Sequence, residues 1–125
     1  MVREVEMFLN RINKEARLDD GTFYRLLVAC TEAVNNAILH GNGTDPKKRV
    51  LIVCLVYPRL LKIRVHDEGR GFNTRNLPNP LEERNILKEH GRGVFLMKSL
   101  VDKVGFRRLK KGMVVEMIID LKMLR

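Results

Sequence analysis

Apolar residues at Val2, Val5, Phe8, Leu9, Ile12 and Ala16 recur at steps of three and four, the spacing that lines one face of a helix ending near Leu18. Asp19-Asp20-Gly21-Thr22 then supplies capping side chains. Phe23, Leu26, Leu27, Cys30, Ala33, Val34, Ala37 and Ile38 form the apolar stripe of a second helix. That helix is predicted to stop at His40-Gly41, with the glycine in the left-handed turn that commonly ends helices.

The pattern changes after the polar stretch Asn42 to Lys48. Val50 to Val56 is a β-branched run, Tyr57-Pro58-Arg59 is a turn, and Leu60 to Val65 alternates apolar and basic residues, which predicts a β-hairpin. Asp67 to Pro80 has glycine, asparagine and proline with little periodicity and is predicted to be a mobile loop, with a short helix over Leu81 to Glu89. Helical spacing returns from Gly93 to Lys103 through Val94, Phe95, Met97, Leu100 and Val101. A second hairpin, Lys103 to Leu109 and Met113 to Leu121, closes the chain around Lys110-Lys111-Gly112. The order α-α-β-β-loop-α-β-β predicts an α+β fold: a two-layer α/β sandwich with helices on one face of a mainly antiparallel mixed sheet.

The 125 residues suit a single domain over 1–125, and a composition of 45% apolar and 31% charged residues excludes disordered and collagen-like classes. No apolar run is long enough to cross a bilayer, and Met1-Val2-Arg3-Glu4 lacks the apolar stretch of a signal peptide. The expectation is a cytoplasmic protein without a membrane partner. Cys30 and Cys54 have no Cys or His at ligand spacing and read as core residues. Lysine and arginine outnumber the acids by 24 to 15, giving a net charge of +9 that favours an anionic partner: nucleotide, acidic protein or nucleic acid. The basic residues are dispersed, from Arg3 and Arg11 to Lys110 and Lys111, and aromatics are only 6%, so no direct nucleic-acid contact is expected.

Three clusters carry candidate chemistry. In Glu32-Ala33-Val34-Asn35-Asn36, Glu32 and Asn36 lie four apart and project from one helix face, with His40 continuing the row. A carboxamide oxygen suits Mg²⁺ and a carboxylate can take a proton from a nucleophile, although the same pair also fits a solvated polar face. In His66-Asp67-Glu68-Gly69-Arg70-Gly71, Asp67 stands at the end of a strand, where it can accept a hydrogen bond from an exocyclic amine such as adenine's. Gly69 and Gly71 let the backbone turn sharply beside a planar ligand, or simply make a turn, and Glu68 and Arg70 read as solvated. In His90-Gly91-Arg92-Gly93, Gly91 and Gly93 lead into a helix whose unpaired N–H groups attract phosphate, with Arg92 adding charge. A tight turn at a helix start satisfies that pattern equally well.

Taken in order, Glu-Ala-Val-Asn-Asn-Ala-Ile-Leu-His-Gly-Asn, Asp-Glu-Gly-Arg-Gly-Phe and Gly-Arg-Gly-Val-Phe-Leu-Met resemble the N, G1 and G2 boxes of the GHKL ATPase superfamily. Within it the chain is most similar to the stand-alone anti-sigma-factor serine/threonine kinases. The resemblance implies the Bergerat ATP-binding fold, with ATP and Mg²⁺ as cofactors. It makes Glu32 the general base, Asn36 the Mg²⁺ ligand and Asp67 the adenine-binding acid. Gly69 and Gly71 shape the adenine pocket, and Gly91, Arg92 and Gly93 form the phosphate end of an ATP lid over 73–90. It further implies two partners, a sigma factor and a STAS-domain anti-anti-sigma protein that is phosphorylated on serine or threonine. Many such proteins are homodimers. The alternative is a non-catalytic ATP-binding module that sequesters a protein partner.

Two features depart from the family pattern. Relatives usually begin with a β-strand before the first helix, whereas Val2 already belongs to that helix, so an edge of the sheet is expected to stay open or to borrow a strand from a partner. Many relatives carry threonine after the glycine of the last hairpin, where this chain has Gly112-Met113, and weaker nucleotide binding is expected. No pair of helices carries a phosphoacceptor histidine in the manner of a sensor kinase: His40 and His66 fall inside the motifs, and His90 at the end of the lid.

Overall fold

The computed structural model describes residues 2–69 and 92–121. Gly71, Gly91, the lid segment 73–90 and the short helix expected over Leu81 to Glu89 lie outside the described residues. Helix α1, Val2–Ala16, buries Val5, Leu9 and Ala16 on the face its periodicity predicts. It stops where Arg17 takes a positive φ of 51° and the Leu18 N–H turns back to Asn13 Oδ1 at 2.6 Å. Helix α2, Asp20–Asn36, is capped by Asp19, whose Oδ1 accepts the Thr22 N–H at 3.2 Å. Hydrogen bonding from the Thr22 side chain, aided by this backbone bond, holds the Asp19 carboxyl below its ordinary pKa.

The end of α2 differs from the expectation. Instead of a left-handed glycine, Ala37–Gly41 widens into a π turn closed by the Asn42 N–H to the Ala37 carbonyl at 2.8 Å. The left-handed residues come later, Gly43 at φ 62° and Thr44 at φ 59°. Gly41 is needed for a different reason, close approach of a carboxylate, described below.

Strands β1 (Val50–Val56), β2 (Leu60–Asp67), β3 (Lys103–Arg108) and β4 (Met113–Asp120) form a four-stranded sheet in the order β1-β2-β4-β3. All three described ladders are antiparallel, so the mixed character expected of the sheet has no parallel pair among the described residues. Alternation puts Leu61, Ile63 and Val65 of β2 on one face opposite Ile119, Met117 and Val115 of β4. These six are buried in a cluster with Leu26, Cys30 and Ala33 of α2 and with Val94 and Met97 of helix α3, Arg92–Leu100. The helices thus share one face of the sheet, the predicted two-layer arrangement. Burial pushes the Cys30 thiol up to about 12 and that of Cys54 to about 11, so both stay protonated, Cys30 within the core and Cys54 half-buried against it.

The other sheet face carries charge. Arg64 Nε donates to Glu116 Oε2 at 2.7 Å across the β2–β4 ladder, and this hydrogen bond holds the Glu116 carboxyl below its ordinary 4.5. A depressed pKa in the folded state means the pair stabilises fully above that ordinary value and ceases to do so as pH falls through the lower one. The stability difference between the parent and Glu116→Gln, measured by urea denaturation, is expected to be present at neutral pH and to shrink steadily below pH 4.5. In the core, Ile63→Ala is expected to cost about 2–5 kcal/mol in the same assay, because Ile63 is 0% exposed and its cavity cannot fill. Leu51→Ala, at a position 58% exposed, should stay within about 0.5 kcal/mol.

Candidate functional site

Asp67 is the last residue of β2, and its carboxylate is wedged between three stretches of backbone. Oδ1 accepts the N–H of Gly69 at 3.0 Å and of Met113 at 3.1 Å. Oδ2 and Cγ occupy the space into which a Cβ on Gly41 would project. A Cβ on Gly69 would strike the Gly41 carbonyl oxygen, and one on Gly112 the Asp67 carbonyl oxygen. Gly112 also needs glycine for its φ of 91°. Three glycines therefore let the π turn, the end of β2 and the β3–β4 turn close on one carboxylate. Oδ1 is saturated by backbone donors, whereas Oδ2 accepts no hydrogen bond among the described residues.

A second device holds this corner. Asn42 is only 4% exposed, donates through Nδ2 to the Arg49 carbonyl at 3.0 Å and accepts the Glu68 N–H on Oδ1 at 2.7 Å. Glu68, expected to be merely solvated, is exposed but accepts the Arg49 N–H on Oε1 at 2.5 Å. Together these bonds clamp the start of β1 to the end of β2. Asn42 stood within the first motif without an assigned role; its position directly after the helix-ending glycine was the available signal.

Glu32 and Asn36 lie half-buried on one face of α2, as their spacing predicts, and both reach α3. Asn36 Nδ2 and Oδ1 stand 3.1 and 3.2 Å from the point where a Cβ on Gly93 would sit, and Glu32 Oε2 stands 3.2 Å from it. A side chain on Gly93 would press on both groups by a few tenths of an ångström, so glycine gives the carboxylate and carboxamide room at the start of α3. His40 leaves this row: the π turn rotates it away, and it is exposed. Arg92 opens α3, its side chain lying outside the described part, as do Gly71 and Gly91.

Asn36 Nδ2 is buried and has no hydrogen-bond partner among the described residues. A buried unpaired amide is costly, and it fits a site completed by a ligand: the nitrogen donates to a phosphate oxygen, or the oxygen, after a flip, ligates a hard cation. No group of three or more His, Cys, Asp or Glu able to hold a metal occurs among the described residues. The Asn36 amide oxygen and the Glu32 carboxylate are hard oxygen donors of the kind a cation such as Mg²⁺ takes.

A family model described as the histidine kinase-like ATPase domain matches residues 1–119. The chain belongs to this family. Among relatives of this histidine kinase-like ATPase domain, the anti-sigma F factor of Anoxybacillus flavithermus is 31% identical over 104 residues, covering 81% of this chain and 70% of that protein. The serine-protein kinase RsbW of Staphylococcus epidermidis is 29% identical over 98 residues, covering 73% of this chain and 61% of that protein. Other relatives are matched over still less of their length, 52% for the anti-sigma F factor of Bacillus cytotoxicus. The fold is shared with the catalytic domain of histidine kinase ThkA, at a TM-score of 0.65 and 15% identity over 96% of this chain and 90% of that one. It is also shared with the blue-light activated histidine kinase EL346 of Erythrobacter litoralis, at a TM-score of 0.68 and 20% identity, over 95% of this chain and 40% of that one. The α+β GHKL fold expected from the sequence is thus the fold observed.

The glycine constraints give a direct test in this ATPase domain. Gly112→Ala combines a left-handed backbone with a clash against the Asp67 carbonyl and is expected to cost more than about 1 kcal/mol by thermal or urea denaturation. Gly105→Ala, with nothing within 4 Å of the new methyl, is expected to change stability by less than about 0.5 kcal/mol.

Proposed function

We propose that this ATPase domain, taken as one unit over 1–125, is an ATP- and Mg²⁺-dependent serine/threonine protein kinase that also acts as an anti-sigma factor in the cytoplasm. Its protein substrate in this reading is a STAS-domain anti-anti-sigma protein, and its second partner is a sigma factor. The observation that carries the reading is the meeting of Glu32 Oε2 and the Asn36 amide, whose Nδ2 has no hydrogen-bond partner among the described residues, at Gly93 near the start of α3. The names of the anti-sigma F factor and serine-protein kinase relatives support it.

Each residue then has a definite task. Asp67 Oδ2, the oxygen not taken by Gly69 and Met113, accepts the adenine amine, with Gly69 and Gly71 giving the ring a flat approach. Asn36 supplies an oxygen to Mg²⁺. When bound, the cation would neutralise charge on the transferring phosphate. Gly91, Arg92 and Gly93 hold phosphate oxygens with backbone N–H groups and the Arg92 charge. Glu32 takes the proton from the substrate hydroxyl as its oxygen bonds to the γ-phosphorus and the bond to the β-phosphate oxygen breaks, leaving ADP. Little more than positioning is demanded, which a domain of this size can provide. The Met113 N–H donates to Asp67 directly, so a backbone bond steadies the acid at the position where many relatives have threonine.

Incubation with labelled ATP, Mg²⁺ and a STAS-domain protein is expected to transfer phosphate to the latter. Glu32→Gln should lower the rate by about 10²–10⁴-fold while ATP binding by calorimetry stays near parental. Asp67→Asn should weaken ATP binding itself. Nucleotide binding without transfer to any STAS protein would instead make the domain a non-catalytic module, and transfer unaffected by Glu32→Gln would remove Glu32 as the base.

A further inference from the structure

Strand β3 forms one edge of the sheet, with β4 on its inner side and no strand on its outer side among the described residues. An edge of this kind offers unpaired main-chain N–H and C=O groups to another extended segment. Its side chains are not neutral. Alternation along Lys103–Arg108 sends Lys103, Gly105 and Arg107 to the helix-free face of the sheet, all three exposed, while Val104 and Phe106 turn inward and pack against the core. Where a Cβ on Gly105 would stand there is nothing within 4 Å, and a groove lined by Gly105, Phe106, Arg107, Val114 and Glu116 opens beside it.

The charge around this groove is unbalanced. Glu116 is the acid within it; Arg64 holds it at 2.7 Å and the Arg107 charge acts on the same carboxylate, so one acid faces two arginines, and Lys103 has no hydrogen-bonded acid among the described residues. Lys110 and Lys111 extend the same sign into the adjoining turn. The opposite edge, β1, reads Val-Leu-Ile-Val-Cys-Leu-Val and has no charge that would specify what covers it.

We infer that the β3 edge is a docking site for an acidic extended segment of a partner protein, which adds as a fifth strand. The fit defines the segment's pattern. Acidic residues at positions four apart face Lys103 and Arg107, a large residue between them fills the space over Gly105, and apolar residues at the two alternate positions continue the inner face beside Val104 and Phe106. The pattern is symmetric about Gly105, so it serves a segment running in either direction. A second copy of this chain is the disfavoured occupant, because β3-to-β3 pairing would set Lys103 and Arg107 against like charges. The inference depends on the sheet and its charges, not on the kinase reading, and its test needs no nucleotide.

A short synthetic peptide with Glu at the two outer positions, Tyr midway and Val at the alternate positions is titrated into the full chain by fluorescence anisotropy. It is expected to bind about tenfold or more tightly than the same peptide with Lys for Glu, and to weaken as salt rises. N-methylation of alternate peptide amides should abolish binding, since main-chain pairing carries the affinity. Hydrogen exchange should show new protection in the β3 amides. Lys103→Glu with Arg107→Glu, both at exposed positions, should invert the preference towards the Lys peptide while the far-UV circular dichroism spectrum stays parental. The inference is overturned if the N-methylated peptide binds to the parent chain as well as the unmodified one, or if protection falls on β1. A peptide-free dimer that the charge reversal dissolves would also overturn it, naming a second copy as the occupant.

Discussion

The Asp67 carboxylate is the point on which the geometry of the site depends. One of its oxygens binds the backbone N–H of Gly69 and Met113, and the other lies against Gly41. Those contacts join the end of α2, the end of β2 and the β3–β4 turn, elements far apart in the chain. A carboxylate can sit so near to so much backbone only because no Cβ stands at Gly41, Gly69 or Gly112. The π turn follows from the same requirement: by widening the last turn of α2 it brings Gly41 onto the acid and turns His40 out to solvent. The Asn42 clamp on Arg49 and Glu68 then fixes the strand ends that present Asp67.

From this corner the rest of the site is positioned along α2. The buried stripe of Leu26, Cys30, Ala33 and Val34 anchors the helix to the sheet, which leaves Glu32 and Asn36 turned towards α3. A Cβ on Gly93 would stand 3.1–3.2 Å from both side chains, closer than ordinary van der Waals contact, and its absence leaves them room. The site therefore combines a rigid acid at the sheet with a polar pair between helices, where Asn36 Nδ2 is buried without a hydrogen-bond partner among the described residues. Residues that elsewhere would be ordinary turn glycines are here conditions for two separate close approaches.

The two faces of the sheet divide the labour. The inner face is closed by apolar contact with the helices, whereas the outer face and the β3 edge carry part of the basic excess that gives the chain its charge of +9. Charge on an exposed edge opposes pairing between copies while remaining attractive to an acidic strand, so one feature serves both exclusion and recognition.

Periodicity alone was enough to determine the three described α-helices, both hairpins and the two-layer arrangement, because burial of one face imposes steps of three and four on helices and of two on strands. Thus Leu26, Cys30 and Ala33, and likewise Leu61, Ile63 and Val65, announce their buried faces by spacing alone. The spacing of Glu32 and Asn36 and the place of Asp67 at a strand end were legible for the same local reason. The roles of Gly41, Asn42 and Gly112 were not, since each acts on a partner at least seven residues away, and in the case of Gly112 on Asp67 across the sheet. A glycine in the sequence says only that a Cβ is absent. Which atom needs that absence is decided by tertiary contact, where a carboxylate and three segments of backbone must share one small volume.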